Sequence, residues 1–165
     1  MADIIFKPVR NEKDIDMTAS LADEIWHEYY HSILLPAQID YMVSRYQSPQ
    51  AISAQIADGY EYYIIYKDDM PLGYFAIEKK EGYLFISKIY IAQVFRRQGY
   101  GKAAMHKIVN IAKNYNYRDI RLNVAKHNSG SISAYENMGF IIIDSVVIDI
   151  GSGFVMDDYT MQKEL

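Results

Sequence analysis

The sequence predicts an α/β protein in which a mixed sheet is flanked by helices. Three observations lead there. Apolar residues recur at helical spacing up to Gly59 and again after Gly99. Between them lie three runs rich in tyrosine and isoleucine, cut by Asp68-Asp69-Met70-Pro71 and by Lys80-Glu81-Gly82, the punctuation of an antiparallel meander. From Gly99 onward helix and strand patterns alternate, so the crossover after the third run predicts a parallel neighbour.

The elements follow in order. Residues 3 to 9 read as a short strand. Asn11, with Asp14 three positions on, caps a helix that carries Ile15, Thr18, Ala22, Ile25, Trp26 and Tyr29 to about residue 31. Pro36 opens a second helix bearing Ile39, Met42, Val43 and Tyr46, and Ser48-Pro49 restarts a third that Gly59 closes. Strands are expected over Tyr60 to Lys67, Leu72 to Lys79 and Tyr83 to Ile91. A helix from Gly99 to Tyr115 sets Ala104, Ile108, Ile111, Ala112 and Tyr115 on one face. Ile120 to Val124 is a strand, Ser129 to Met138 a helix stopped by Gly139, and Phe140 to Ile150 with Phe154 to Met161 a final strand pair.

Composition narrows the function. The chain has 165 residues, 50% of them hydrophobic, and no linker or repeat divides it, so residues 1–165 are read as a single domain. A net charge of −4 argues against nucleic acid or an anionic membrane as partner. The absence of cysteine excludes disulfides, thiolate zinc sites and a cysteine nucleophile. The first residues are too charged for a signal peptide and no apolar stretch could span a bilayer, so a cytoplasmic location is expected. Tyrosine is in excess, with 16 residues beside one tryptophan. Its ring buries well while its hydroxyl wants a partner, which suggests a wide amphipathic lining.

The segment Arg96-Arg97-Gln98-Gly99-Tyr100-Gly101-Lys102 lies between a predicted strand and a predicted helix start. Glycines there expose backbone amides at the positive end of a helix, so a phosphate is the natural ligand, and a solvated glycine cap is the plain alternative. A dinucleotide fingerprint fits Gly99-x-Gly101-x-x-Ala104, but the following strand lacks an acidic ribose ligand. A nucleotide P-loop fails because Gly101-Lys102-Ala103 lacks the magnesium-binding hydroxyl.

The run Ile89-Tyr90-Ile91, then Arg96-x-x-Gly99-x-Gly101, then Asn128-x-x-Ser131-Ile132-x-x-Tyr135-x-x-x-Gly139-Phe140, resembles the acetyl-CoA-binding core of the GNAT family, the GCN5-related N-acetyltransferases. The match covers about residues 83–140. The resemblance implies a centrally splayed sheet, the GNAT-like acyl-CoA N-acyltransferase fold. It also implies that the amides of Arg97 to Lys102, Gln98, Gly99 and Gly101 among them, bind the pyrophosphate with help from Arg96. Ile89 and Ile91 would pair with the pantetheine arm like an added strand, and an amide of that edge would polarise the thioester oxygen. Asn128 and Ser131 complete the implied cofactor contacts, and Tyr135 is the implied acid for the departing thiolate. A phenol, with an ordinary pKa of about 10, is protonated at neutral pH and suits that role; a packed helix aromatic is the alternative.

Two departures from the family pattern stand out: Gln93 replaces a common proline, and Ser87 stands where relatives often carry a glutamate base. Glu24, Glu28, His27, Asp157 and Asp158 are then the candidates for the base. A rival motif, His27-Glu28-Tyr29-Tyr30-His31, matches the zinc-protease H-E-x-x-H, although the residues after His31 offer no third ligand; the chemistry would be zinc hydrolysis, while the favoured reading assigns no metal. A non-catalytic acyl-CoA-binding domain is the other alternative. The favoured reading is direct transfer of acetyl from acetyl-CoA to a primary amine, a small amine or polyamine, through a ternary complex. Its acceptor site draws on Trp26, Tyr29, Tyr30, His31, Tyr41, Tyr46 and the Met156-Asp157-Asp158-Tyr159 run, and the chain could pair as a homodimer.

Overall fold

A computed structural model describes residues 3–165 of the chain. The elements are β1 (Ile4–Pro8), α1 (Glu12–Tyr30), α2 (Pro36–Gln47), α3 (Pro49–Ala57), β2 (Glu61–Lys67), β3 (Met70–Lys79), β4 (Leu84–Ile91), a short 3-10 helix (Gln93–Phe95), α4 (Tyr100–Asn114), β5 (Asp119–Ala125), α5 (Ser129–Asn137), β6 (Ile141–Gly151) and β7 (Phe154–Glu164). The seven strands form one mixed sheet in the order β1-β2-β3-β4-β5-β7-β6. β4 and β5 are parallel neighbours, as the crossover through α4 requires, and their ladder is short, running from Leu84↔Ile120 to Ile86↔Leu122. Beyond it β4 continues to Ile91 and β5 to Ala125. No helix among the described residues is long and apolar enough to cross a membrane.

The residues fall into two compact units, one built from the chain up to Glu78 with Lys88–Met105, the other from Lys79–Ser87 with His106–Leu165. In the first, β1, β2 and β3 form antiparallel ladders. Leu72 to Ile77 of β3 are all buried, so both faces of that strand are covered. The helices start where their caps dictate. Asn11 Oδ1 accepts from Asp14 N at 2.8 Å, and Ser48 Oγ from Ala51 N at 3.1 Å. The Asp14 carboxylate does not return to Asn11 but accepts from Lys7 Nζ at 2.9 Å.

One hydrogen-bonded chain runs through this unit. Trp26 Nε1 on α1 donates to Tyr74 OH on β3 (2.8 Å), which donates to Gln47 Oε1 at the end of α2 (2.6 Å). Gln47 Nε2 donates to Tyr62 OH on β2 (3.1 Å), and Tyr62 OH donates to Gln55 Oε1 on α3. Lys88 Nζ on β4 also donates to Gln55 Oε1, at 3.3 Å.

In the second unit β5 alternates buried Ile120, Leu122 and Val124 with half-buried residues, and it pairs antiparallel with β7 along its whole length. Lys163 Nζ donates to Met138 O at 2.7 Å and so closes the end of α5, where Gly139 takes φ +95°. Two expectations fail. Met70 and Pro71 belong to β3 rather than to the turn, because Met70 pairs directly with Lys67 and leaves a two-residue hairpin with Asp68 at φ +55°. Tyr115 is 43% exposed, since α4 ends at Asn114 and the ring instead receives Lys79 Nζ at 3.8 Å.

The buried chain predicts the cost of breaking it. Tyr74→Phe leaves the Trp26 indole N–H and the Gln47 carbonyl without their partner, and should lower unfolding free energy in urea by roughly 1–3 kcal/mol. A change below about 0.5 kcal/mol would show that these groups find other partners at no cost.

Candidate active site

The glycine turn belongs to the first unit. After β4, Ala92 N donates to Leu72 O at 2.8 Å and the 3-10 helix leads to Arg96, whose N–H donates to Gln93 O. Arg97 then takes φ +63° and Gly99 φ +88°. The left-handed conformation costs an arginine about 1–2 kcal/mol, so the turn stores strain as it presents its amides. The first backbone bond of α4 runs from Ala103 N to Gly99 O at 3.0 Å. The amides of Tyr100, Gly101 and Lys102 therefore precede the helical ladder and sit at its positive end. A Cβ on Gly101 would meet nothing within 4 Å, and its φ is not left-handed. The protein's own packing does not require that glycine, whereas a ligand drawn up to the backbone would. Arg97, Gln98, Gly99 and Lys102 are exposed; the Gln98 side chain donates to Val94 O at 3.2 Å, which leaves its backbone for any ligand.

Arg96 ties this turn to the strand before it. Its Nε donates to Ile91 O at 2.9 Å, and its guanidinium lies 5.3 Å from the Tyr29 ring centre. Its Nη2 is buried with no hydrogen-bond partner among the described residues. An unpartnered guanidinium nitrogen, on the turn that leads into helix-start amides outside the helical ladder, is a fit for a phosphate, which would satisfy both. On β4, Ile89 and Ile91 are half-buried, and the Ile91 carbonyl accepts from Arg96 Nε. Gly73 of β3 permits this end of β4 to come close: a Cβ there would lie 2.3 Å from Tyr90 O.

The aromatic residues named for the acceptor divide. Trp26 and Tyr30 are core: the Trp26 ring meets Tyr30 and Tyr90, and the Tyr30 and Tyr90 hydroxyls lie 3.2 Å apart. Tyr29 is half-buried beside Arg96, while Tyr41 and Tyr46 both lie near the Arg45 guanidinium, at 6.0 and 5.6 Å. Lys88 was not singled out by sequence, although a lysine inside the apolar run of β4 was the available signal. Burial pulls its amine down to about 8, against the opposing charge of Glu78.

The H-E-x-x-H residues are spent on structure. His27 Nδ1 lies 2.7 Å from Asp23 O and Nε2 lies 2.8 Å from Asp40 Oδ1. Both partners only accept, so the ring favours the doubly protonated form; the Asp40 bond, then the Asp23 carbonyl, raise its pKa above the ordinary value. A metal wants the opposite, a neutral imidazole. Glu28 Oε1 accepts from Gln93 N at 3.2 Å, and His31 caps α1 with Nδ1 3.1 Å from Glu28 O. Among the described residues no group of three or more His, Asp or Glu side chains could hold a metal.

Asn128, Ser131 and Tyr135 all lie in the second unit, Asn128 as the cap of α5 and Ser131 and Tyr135 one turn apart within it. Asn128 N donates to Ala125 O at 2.9 Å, and its Oδ1 accepts from Ser131 N at 3.2 Å to cap the helix. Tyr135 is half-buried; its ring sits 5.7 Å from Phe140, and its carbonyl accepts from Phe140 N at 3.0 Å, so the backbone that follows Gly139 fixes its position. The sequence-named residues thus form two groups, the β4 end with its turn in one unit and α5 with its cap in the other.

A sequence profile described as the acetyltransferase (GNAT) family matches residues 19–140. The chain belongs to that family. Solved structures of the same fold include the PaiA N-acetyltransferase of Thermoplasma acidophilum in complex with coenzyme A, 18% identical over 99% of each chain at TM-score 0.84. A GCN5-related N-acetyltransferase from Rhodopseudomonas palustris is 13% identical over 100% of this chain and 96% of its own, at TM-score 0.80. A GNAT acetyltransferase of Elizabethkingia anophelis with acetyl-CoA bound is 21% identical over 69% of this chain and 82% of its own, at TM-score 0.59.

The His27 geometry predicts a pH response. Its raised pKa means that the Asp40 pair contributes fully below the unfolded imidazole value of 6.5 and loses its contribution as pH rises through the folded value. Asp40→Asn should lower the His27 midpoint in an NMR titration and flatten that part of the stability profile. Stoichiometric zinc on protein purified without a tag would contradict the structural role of the motif.

Proposed function

We propose that this chain is an acetyl-CoA-dependent N-acetyltransferase that moves an acetyl group directly to a primary amine within a ternary complex. The turn carries the reading: amides of Tyr100 to Lys102 that precede the helical ladder, a Gly101 that packing does not demand, and a buried Arg96 Nη2 without a partner among the described residues, in a chain of an acetyltransferase family. Acetyl-CoA supplies an acyl group activated as a thioester. Arg96, Arg97, Gln98, Gly99, Gly101 and Lys102 hold its pyrophosphate, the Ile89–Ile91 edge holds the pantetheine arm, and Asn128 and Ser131 add further contacts. A β4 amide polarises the carbonyl undergoing attack. The Tyr135 phenol gives its proton to the departing thiolate and regains one from solvent. No acyl-enzyme is formed, consistent with the absence of cysteine. Net charge −4 and the Asp157-Asp158 pair favour a cationic acceptor, a small amine or polyamine. The whole of 1–165 acts as one catalytic domain in this reading.

Two substitutions test it. Gly101→Ala should leave the fold intact or up to about 1 kcal/mol more stable, because alanine is the better helix former. The same change should weaken acetyl-CoA binding in calorimetry, since its methyl occupies the amide cradle. Unchanged affinity, or no acetyl-CoA binding by the wild type, would refute the cradle. Tyr135→Phe should lower kcat by roughly 10²-fold or more while leaving acetyl-CoA affinity within about twofold. Equal losses in both would make Tyr135 structural, and no loss in either would favour a domain that only binds acyl-CoA.

A further inference from the structure

An ammonium group cannot attack a carbonyl until it has lost a proton, and Ser87 cannot take that proton unaided at neutral pH. The other carboxylates and imidazole named for this role are spent or remote from shelter. Glu24 is exposed, Glu28 holds Gln93 N, His27 is held as a donor to Asp23 and Asp40, and Asp157 is paired with Lys126 Nζ at 2.9 Å.

Asp158 differs from all of them. It is 6% exposed, and its Oδ1 has no hydrogen-bond partner among the described residues. Buried carboxylates are ordinarily paired, because burying an unpaired charge is unfavourable. Asp158 stands on β7 opposite Ala125, the last residue of β5, and opposite Val146 of β6. That is the end of the β5–β7 ladder, where the chain turns through Lys126, His127 and Asn128 into α5, the helix that carries Tyr135. Ligands in sheets with parallel strands gather at such carboxyl ends.

We infer that Asp158 binds the ammonium of the acceptor and takes its proton. The inference rests on the acetyltransferase reading above. An incoming ammonium supplies both the donors and the counter-charge that Oδ1 lacks. One N–H proton passes to the carboxylate as the nitrogen attacks the thioester carbon and forms the C–N bond. Collapse breaks the C–S bond, the thiolate takes a proton, and the amide nitrogen sheds its second proton. Asp158 then returns its proton to solvent, so that an ammonium and a thioester give an amide, a thiol and one released proton.

The surroundings suit a base. Burial first, and the Asp157 charge second, raise the Asp158 pKa above its ordinary 3.8, opposed by His127 and Lys126 at the end of β5; β6 sets only Val146 opposite. The group is deprotonated above that raised value and inactive below it.

The experiment compares the full-length wild type with Asp158→Asn and Asp158→Glu, measuring kcat/KM for a primary amine such as spermidine or a monoamine against pH, with acetyl-CoA affinity by calorimetry. The wild type should show an acid limb above the ordinary carboxylate value and a basic limb at the ammonium's own pKa. Asp158→Asn should lose roughly 10²–10⁴-fold in kcat, bind acetyl-CoA within about twofold of wild type, and lack the acid limb. Asp158→Glu should recover part of the rate. Because the asparagine removes a buried charge, its thermal midpoint should equal or exceed that of the wild type, which separates a lost base from a lost fold. A wild-type profile without the acid limb overturns the inference even if the asparagine variant fails to fold. Normal acetyl-CoA binding with an unaffected asparagine variant overturns this inference alone. A wild type that binds no acetyl-CoA, or acetylates no primary amine, overturns the acetyltransferase reading along with it.

Discussion

Six elements of the first unit are joined by one hydrogen-bonded chain, Trp26–Tyr74–Gln47–Tyr62–Gln55–Lys88, and each of α1, β3, α2, β2, α3 and β4 supplies one member. Apolar packing alone would allow three helices to slide over a sheet with little change in buried area. Directional bonds fix their register, because a shift in any element strands a buried donor or acceptor. The tyrosines are suited to this work, since the ring fills the core while the hydroxyl both donates and accepts. Tyr62 and Tyr74 stack at 6.3 Å with nearly parallel rings, so the same pair provides packing and bonding. Burial in this setting raises the Tyr62 and Tyr74 phenols far above their ordinary value, and they remain neutral throughout the physiological range.

Much of this fold was legible because its boundaries carry local chemistry. Asn11 and Ser48 cap their helices through side-chain oxygens, Pro36 and Pro49 open theirs, and Gly59 and Gly139 end segments with left-handed backbone. The errors fell where tertiary structure overrides a local signal. Pro71 reads as a turn residue, yet it pairs with Tyr66 beside an irregularity at Ile65/Tyr66, where a missing N–H does less harm. Tyr115 continues the apolar stripe of α4 by spacing, but lies one residue past the helix end. Trp26 and Tyr30, named from sequence for the acceptor site, are settled as core by their partners on β3 and β4.

The site was legible unevenly for the same reason. Glycine at 99 and 101 announces exposed backbone, and the spacing of Asn128, Ser131 and Tyr135 is a local pattern on one helix. What no spacing reveals is which polar atoms the fold leaves unpaired. Arg96 looks like any basic residue in a loop until its Nε is found on Ile91 O and its Nη2 without a partner among the described residues. Loop strain adds to this: Arg97 takes a left-handed φ that a glycine could adopt more cheaply, which makes sense where the turn must hold both a sharp bend and a positive charge.

Asp157 and Asp158 show how far identical neighbours can diverge. Alternation along β7 turns Asp157 outward to Lys126, while Asp158 turns inward to a place with no cation of its own. Lys126 and His127 still act on Asp158 through space, yet burial outweighs them and its pKa rises. A structural carboxylate would be expected to take the nearest lysine; instead the exposed member has it, where an ion pair contributes little to stability. The arrangement places the available cation where it stabilises least and keeps the sheltered carboxylate open. That is an unfavourable distribution for folding and a favourable one for receiving a positively charged group from outside.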